Sequence, residues 1–343
     1  METKSDSAVP TIADVARRAG VSTATVSRCL NDPSKVQPAT REKVQEAVRA
    51  LGYTPNFGAR ALVAKRTNTV GAVIPTMDNA IFARGLQAFQ EALHEQGVTL
   101  LVASAQYQPD FEEEQIRTLL ARGADGLLLI GYERGPEIYA ELQRRGVATV
   151  VAWAFDPNSP LTSVGFDNRK AMKALAGAVV ARGHRHIGVI SAVTASNDRA
   201  RDRVSGIKEV LAEEGLPVSN LRIIETNYAI ESGRYAAAEL LSHTPRPTAI
   251  MCGNDVLAAG AIREVRRMGY RVPEDISVTG FDDIELAEIC EPPLTTVHVP
   301  HRQMGHRAAL ALLQMIREGQ AAPSIELKTE LRVRDSLGPC PTS

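Results

Sequence analysis

TIADVARRAGVSTATVSRCL, residues 11–30, decides how the rest of the chain is read. It has the pattern of two short helices with a tight turn between them. Thr11 caps the first helix, and Asp14 three residues on completes a capping box. Ile12, Val15, Ala16 and Ala19 fall on one face at helical spacing. Gly20 tolerates positive φ, so the chain can turn sharply, and Val21 plugs the corner. Ser22 caps the second helix, expected over about residues 23–30 with Val26 and Leu30 inward. Thr23, Ala24, Thr25, Ser27 and Arg28 are left outside. That face is small and hydrogen-bonding, with one cation and no acid. A helix lying in a DNA major groove needs such a face, because a carboxylate there would meet phosphate.

Twenty residues alone fit equally well a helical hairpin at the edge of a larger fold. The following residues separate the two readings. Pro38–Leu51 reads as a third amphipathic helix, with Val44, Val48 and Leu51 inward and Gly52 at its end, so three helices can close one small core. YTPN at residues 53–56 and an Ala/Leu/Arg run to Lys65 come next. Together TIADVARRAGVSTATVSRCLN, TREKVQEAVRALGYTPN and ARALVAK resemble the head of LacI/GalR-family repressors. The resemblance implies an N-terminal all-α helix-turn-helix head followed by an α/β body of two doubly wound parallel-sheet lobes, like the periplasmic sugar-binding proteins. It divides the chain into a disordered tail (1–10), a DNA-binding domain (11–52), a hinge (53–67) and an effector-binding and dimerisation domain (68–343).

Composition agrees. At 343 residues two or three domains are expected. Net charge is −1, but it is unevenly spread: residues 1–68 hold eleven Lys/Arg against six Asp/Glu, leaving 28 basic and 34 acidic residues of the totals of 39 and 40 for the remainder. A basic head on an acidic body suits a protein whose head meets phosphate and whose body does not. No apolar run reaches membrane-spanning length, and METKSDSAVP has no apolar signal core. Cys29, Cys252, Cys290 and Cys340 are scattered, which argues for a reducing cytoplasm and against a disulfide frame or zinc site.

From Thr69 the pattern becomes an amphipathic helix, a glycine stop and an apolar strand, repeated. LHEQGVTLLVA, LLARGADGLLLIG, LQRRGVATVVA, VVARGHRHIGVI, LAEEGLPVSNLRII and VRRMGYRVPEDISVTG carry it, with Gly97, Gly123, Gly146, Gly183, Gly215 and Gly269 placed as helix C-caps. Repeated units of this kind build parallel sheets through crossovers, and there are too many strands for one small sheet. FQEALHEQG (89–97) echoes IKEVLAEEG (207–215), which suggests two similar lobes. The expected division is lobe 1 at about 69–162 and 298–321, and lobe 2 at about 165–294, with a last strand at about 324–334 returning to lobe 2.

At the DNA end, the resemblance places Thr23, Ala24 and Arg28 toward base edges. Arg28 can chelate a guanine through O6 and N7; a phosphate contact is the plainer alternative. Ser22, Thr25, Ser27 and Asn31 suit phosphate oxygens, joined by Thr11, Tyr53 and Asn56. Ala59 and Leu62 lie in a short helix resembling the family's hinge, which implies two such helices entering the minor groove and wedging leucines into a base step; packing of Leu62 within the protein is the alternative. A helix this short is unstable alone, so it forms only when DNA and the partner subunit hold it. The implied partners are double-stranded operator DNA and a second copy of the chain.

Parallel sheets bind ligands at the carboxyl ends of their strands, and two facing lobes make a cleft there. The loops past each strand offer Asn79 and Phe82 after VGAVIP, Trp153 after ATVVA, Arg203 beyond IGVIS, Tyr228 after RIIETN, Asn254 after AIMCG and Asp282 after ISVTG. Phe82, Trp153 and Tyr228 present apolar faces to a ring. Asp282 accepts from vicinal hydroxyls, and Arg203 is a fork of donors; both match positions where the family contacts its effector. Asp255 and Asp283 read better as loop or cap residues. Residues 299–301, VPH, replace a more polar stretch of some sugar repressors, while 163–168, SVGFDN, resemble gluconate-repressor-like members. A sugar or sugar acid is expected ahead of a purine.

Enzyme signatures are missing: no glycine-rich phosphate loop follows a strand and no serine elbow occurs. His184 and His186 lack a matched third ligand and read as structural, so neither metal nor cofactor is expected. The expected function is a ligand-responsive DNA-binding regulator, usually a repressor in the family. The alternative is a sugar-binding receptor without a DNA role.

Overall fold

The structure is a computed structural model that describes residues 9–54, 66–78 and 80–341, with the side chains of Asn31 and Asn220 left aside. The predicted hinge residues Asn56, Ala59 and Leu62, and the predicted effector contact Asn79, lie outside the described residues. The chain divides into two compact units, residues 1–67 and 68–343.

The head holds α1 (Ile12–Ala19), α2 (Thr23–Asn31) and α3 (Pro38–Leu51), with a 3-10 turn at Pro33–Lys35. The Thr11 capping box forms in both directions: Thr11 Oγ1 accepts from the Asp14 amide, and Asp14 accepts from the Thr11 amide at 2.9 Å. Gly20 and Gly52 both end helices in the left-handed region. Val15, Val26 and Val44 are fully buried at the centre of a core that also takes Ala16, Cys29 and Ala47. Leu30, Val48 and Leu51 pack at its edge rather than its centre. With so little area to bury, each fully buried valine, at about 1.5–3 kcal/mol, matters to this unit.

The body holds two parallel sheets. β1 (Thr69–Ile74), β2 (Thr99–Ser104), β3 (Gly126–Ile130), β4 (Ala148–Ala152), β5 (Thr162–Gly165) and β11 (Ile325–Glu326) form the first, in the order β11-β5-β4-β3-β1-β2. β6 (Ile187–Ser191), β7 (Leu221–Glu225), β8 (Ala249–Cys252) and β9 (Ser277–Thr279) form the second, in the order β7-β6-β8-β9. Every pairing within the two sheets is parallel. The central strands β1, β3 and β6 are wholly buried, as their unbroken apolar runs require, whereas edge strand β2 is half exposed. All six predicted C-cap glycines have positive φ.

Between the strands run α4 (Ala80–Glu95), α5 (Pro109–Ala121), α6 (Pro136–Arg144), α7 (Asn168–Ala181), α8 (Asp198–Glu213), α9 (Ile230–Ser242) and α10 (Asp255–Arg267), followed by α11 (Glu285–Ile289) and α12 (His301–Glu318). α12 crosses α4 at Gly305 and Gly85. A methyl at 305 would overlap the Gly85 carbonyl, and one at 85 would overlap the Trp153 ring. The two glycines therefore let the helices touch and leave the tryptophan its seat.

Two boundaries differ from expectation. Residues 162–165 are not a crossing between lobes but the strand β5, paired to β4, and the chain leaves the first sheet after Gly165. The segment 324–334 is not one strand of the second lobe. Ile325 and Glu326 pair with Val164 and Gly165, closing the otherwise open edge of β5. Then β12 (Glu330–Arg332) runs antiparallel to β10 (Thr296–His298). Only past Arg334 does the chain dock on the second sheet, where Ser336 exchanges hydrogen bonds with Val278. The apolar content of 324–334 is too low to say which edge it completes; the open edge decides.

Candidate functional site

On the head, α2 presents Ser22, Thr23, Ala24 and Arg28 to solvent, with Thr25 and Ser27 half-buried beside them. The Ser22 hydroxyl caps the helix by accepting from the Thr25 amide at 3.1 Å and lies 2.9 Å from the Thr25 hydroxyl. Thr11 is held by Asp14, and the Tyr53 ring packs on the core. The head's nearby carboxylates are matched by cations, Asp14 with Arg17 and Asp32 with Lys35. The exposed face of α2 thus offers short hydroxyls, a methyl and one guanidinium.

In the body, each sheet has a switch in strand order, between β3 and β1 in one and between β6 and β8 in the other. Crevices open at the carboxyl ends of such strands. Here a cavity of about 800 Å³ lies between the lobes, lined by Thr76, Ser104 and Tyr107 from one side and Asn197, Thr226 and Tyr228 from the other. Behind it is a nearly closed chamber of about 10 Å³, lined by Phe82, Trp153, Arg199, Arg203 and Asp282. Tyr107, Asn197 and Tyr228 border both, and the two tyrosine rings stand 6.1 Å apart.

Strained backbone and unpaired polar atoms occur in the chamber lining, at Tyr107, Trp153, Tyr228 and Asp282, and in residues outside it. Gln106, Tyr107, Trp153, Asp282 and Asp283 all have positive φ without being glycine. Strain of this kind persists only where surrounding structure holds it, and it concentrates at binding sites. Trp153 Nε1, Asn168 Oδ1, Tyr228 Oη, Asn254 Nδ2, Asp282 Oδ2 and both His301 ring nitrogens are buried without a hydrogen-bond partner. Each such group costs about 1–3 kcal/mol if nothing fills it. Asn254 is divided in role, because its Oδ1 caps α10 through the Leu257 amide at 2.9 Å.

Two cations enter the same space. Arg203 donates to the carbonyls of Arg199 and Gly253 and lies 4.6 Å over the Phe281 ring. Arg199 donates to Asp198 and to the Ile130 carbonyl of the opposite lobe. Asp198 also accepts from the Tyr132 amide at 2.5 Å. The start of α8 is thereby fastened to the turn after β3, where Gly131 has φ 69° and no room for a side chain. Arg201 with Glu133, and Arg84 with Glu285, also tie lobe to lobe. Burial raises the Asp282 carboxyl to about 6, against the pull of Arg203 and Arg199. Burial lowers the His301 imidazole to about 3, and it pushes the Tyr107 phenol up.

Residues 11–56 match the model of the lacI family of bacterial regulatory proteins, and residues 176–337 match a periplasmic binding protein-like domain. The transcriptional repressor PurR of Photobacterium profundum is 34% identical over 95% of this chain and 98% of its own. The chain belongs to the lacI family. The transcriptional regulator DegA of Bacillus subtilis is 35% identical over 97% of this chain and 99% of its own. The crystal structure of the lac repressor dimer bound to operator and the anti-inducer ONPF superposes with a TM-score of 0.85 at 27% identity, covering 96% of this chain and all of that one. As a lacI-family protein it is a DNA-binding transcriptional regulator with a ligand-binding body; its relatives are regulators, not enzymes. That removes the alternative of a receptor without a DNA role.

Of the residues predicted for this lacI-family body, Phe82, Trp153, Arg203, Tyr228 and Asp282 converge on the inner chamber, whereas Asn254, with its amide nitrogen buried and unpaired, is not among the residues that line it. Sequence reasoning passed over Tyr107, Arg199 and His301. Tyr107 follows strand β2 and obeys the same carboxyl-end rule as the others. Arg199 stands one helical turn before Arg203. The sequence marks His301 only as part of the VPH stretch at 299–301, without a role of its own. Asp255 is structural, accepting from the Thr296 hydroxyl at 2.6 Å and the Ile284 amide at 2.8 Å. Asp283 is held by Arg334 and His298. His184 spends both nitrogens on Thr248 and the Gly338 carbonyl, and no metal-binding cluster occurs among the described residues. No helix among them is long and apolar enough to cross a membrane.

Proposed function

We propose that this regulator is a cytoplasmic repressor that acts as a homodimer on a pseudo-palindromic operator and reads a small effector in the cleft between the lobes, with the inner chamber at its floor. One recognition helix contacts too few base pairs for useful specificity, so two heads are needed. In each head, Thr23, Ala24 and Arg28 face base edges, while Thr11, Ser22, Thr25, Ser27, Asn31, Tyr53 and Asn56 position the backbone. Ala59 and Leu62 belong to the minor-groove hinge. The effector, a sugar or sugar acid, takes its hydrogen bonds from the groups left unpaired around Asp282, with Arg203, Trp153, Phe82, Tyr228, Asn254 and Asn79 about it.

The single observation that carries the sensing half is this convergence of unpaired buried polar atoms from both lobes on one chamber. A ligand that meets unpaired groups of both lobes bridges them, and so biases lobe closure. Coupling of this type is about 1–3 kcal/mol. A thermal-shift screen of sugars, sugar acids and purines, followed by operator binding with each hit, tests the reading. Hits that stabilise the protein and leave operator affinity unchanged would refute it.

A further inference from the structure

The chain itself supplies hydrogen bonds that hold the cleft shut, and they come from the first turn of α8. Asp198 accepts from the Tyr132 amide of the other lobe. Arg199 donates to the Ile130 carbonyl of that lobe at 3.1 Å and to Asp198 at 2.8 Å. Arg199 is only 7% exposed, and it borders two small voids. One is the inner chamber of about 10 Å³; the other, of about 20 Å³, is lined by Pro75, Ala105, Ile130 and Glu133. A single water needs about 10–15 Å³, so neither void takes a ring while the arginine stays where it is. Its seat is shaped on the opposite lobe by Gly131, where a methyl would overlap Arg199 Nη1.

An arginine that served α8 alone could leave its guanidinium in water, as exposed Arg201 does. Burying a cation is costly unless it is paired and hydrogen-bonded. Here one acceptor is a carbonyl of the facing lobe, so the burial depends on the lobes being together. Opening the cleft strips Arg199 of Ile130 and Asp198 of Tyr132 at once. One donor and one acceptor across the junction are what a bridging ligand would supply. We propose that Arg199 is a built-in stand-in for ligand: its guanidinium latches the cleft shut, and an effector reaching the chamber floor must evict it. Eviction joins the chamber to the neighbouring void. The effector's contacts then replace the latch instead of adding to it, so the wild type closes little further on binding. The latch stands on its own contacts; the eviction rests on the cleft being the effector site.

The test uses the full-length protein and Arg199→Ala, by small-angle scattering and thermal melting, with Arg199→Ser read in the same way if Arg199→Ala does not fold. The variant should have a larger radius of gyration than wild type, its closed-to-open ratio falling at least about tenfold. Millimolar ethylguanidinium, the fragment missing from Arg199→Ala, should return its radius of gyration toward wild type and raise its melting temperature. Ethylammonium, which has the charge without the planar fork, should do neither, and wild type should respond to neither. A variant as compact as wild type overturns the latch. Ethylguanidinium that acts equally on both proteins, or on neither, overturns the claim that the seat can change occupant. Any sugar, sugar acid or purine that binds should bind the variant at least about tenfold tighter than wild type, and equal affinity overturns the eviction. If none of them binds either protein, the effector reading fails, while scattering and rescue still decide the latch.

Discussion

Gly131→Ala probes the lobe junction most directly. Gly131 sits in the left-handed region at φ 69°, and a methyl there would overlap Arg199 Nη1 and approach Asp198 Oδ1 to 2.5 Å. Arg199 must then leave the Ile130 carbonyl, and Asp198 must shift from the Tyr132 amide. Gly97→Ala supplies the control, since Gly97 has φ 67° and nothing within 4 Å of an added methyl. Both variants incur the left-handed strain of about 1–2 kcal/mol. Only Gly131→Ala also loses a charge-assisted hydrogen bond across the lobes, worth about 1.5–3 kcal/mol. That excess acts on closure rather than on either lobe's own core, so it divides the closed-to-open ratio by about ten to a hundred. Small-angle scattering of the full-length proteins should show a larger radius of gyration for Gly131→Ala than for Gly97→Ala, with a lower melting temperature. Equal scattering and equal melting for the pair would show that the start of α8 does not hold the lobes together.

The remaining expectations concern pH and DNA. His301 has a folded pKa of about 3 against 6.5 unfolded, so the stability from its neutral form is full above pH 6.5 and is lost progressively toward pH 3. Asp282, raised from 3.8 to about 6, does the reverse: its contribution is full below pH 3.8 and gone above about 6. At pH 5 the two oppose each other at about 2 and about 1.4 kcal/mol, so wild type should be nearly flat, while His301→Gln gains and Asp282→Asn loses relative to it between pH 6.5 and 5 in urea titrations. Arg28→Ala should relax preference at one base position in a binding-site selection; a uniform loss across sequences would put Arg28 on phosphate instead. Leu62→Ala should weaken operator binding strongly with non-specific DNA binding nearly intact, and equal loss on both in competition gel shifts would exclude a wedge.

Local patterns settled much of this protein. Thr11 with Asp14, Gly20 and the spacing of Val15, Val26 and Val44 define the head, because caps, turns and amphipathic faces depend on neighbours a few residues apart. The glycine-stopped repeats define the two parallel sheets for the same reason, and the carboxyl-end rule picks out Phe82, Trp153, Arg203, Tyr228 and Asp282. Tertiary structure decided what depends on distant partners. Residues 324–334 could pair with either sheet, and only the open edge of β5 beside Val164 assigns Ile325 and Glu326. His301 lies beside Trp153 and Asp282, which line the chamber, because α12 packs on α4 through Gly305 and Gly85. Likewise, that Arg199 is a lobe fastener depends on the Ile130 carbonyl some seventy residues earlier. Burial, unpaired atoms and shifted protonation arise where separate segments meet, and a linear pattern carries no record of which segments those are.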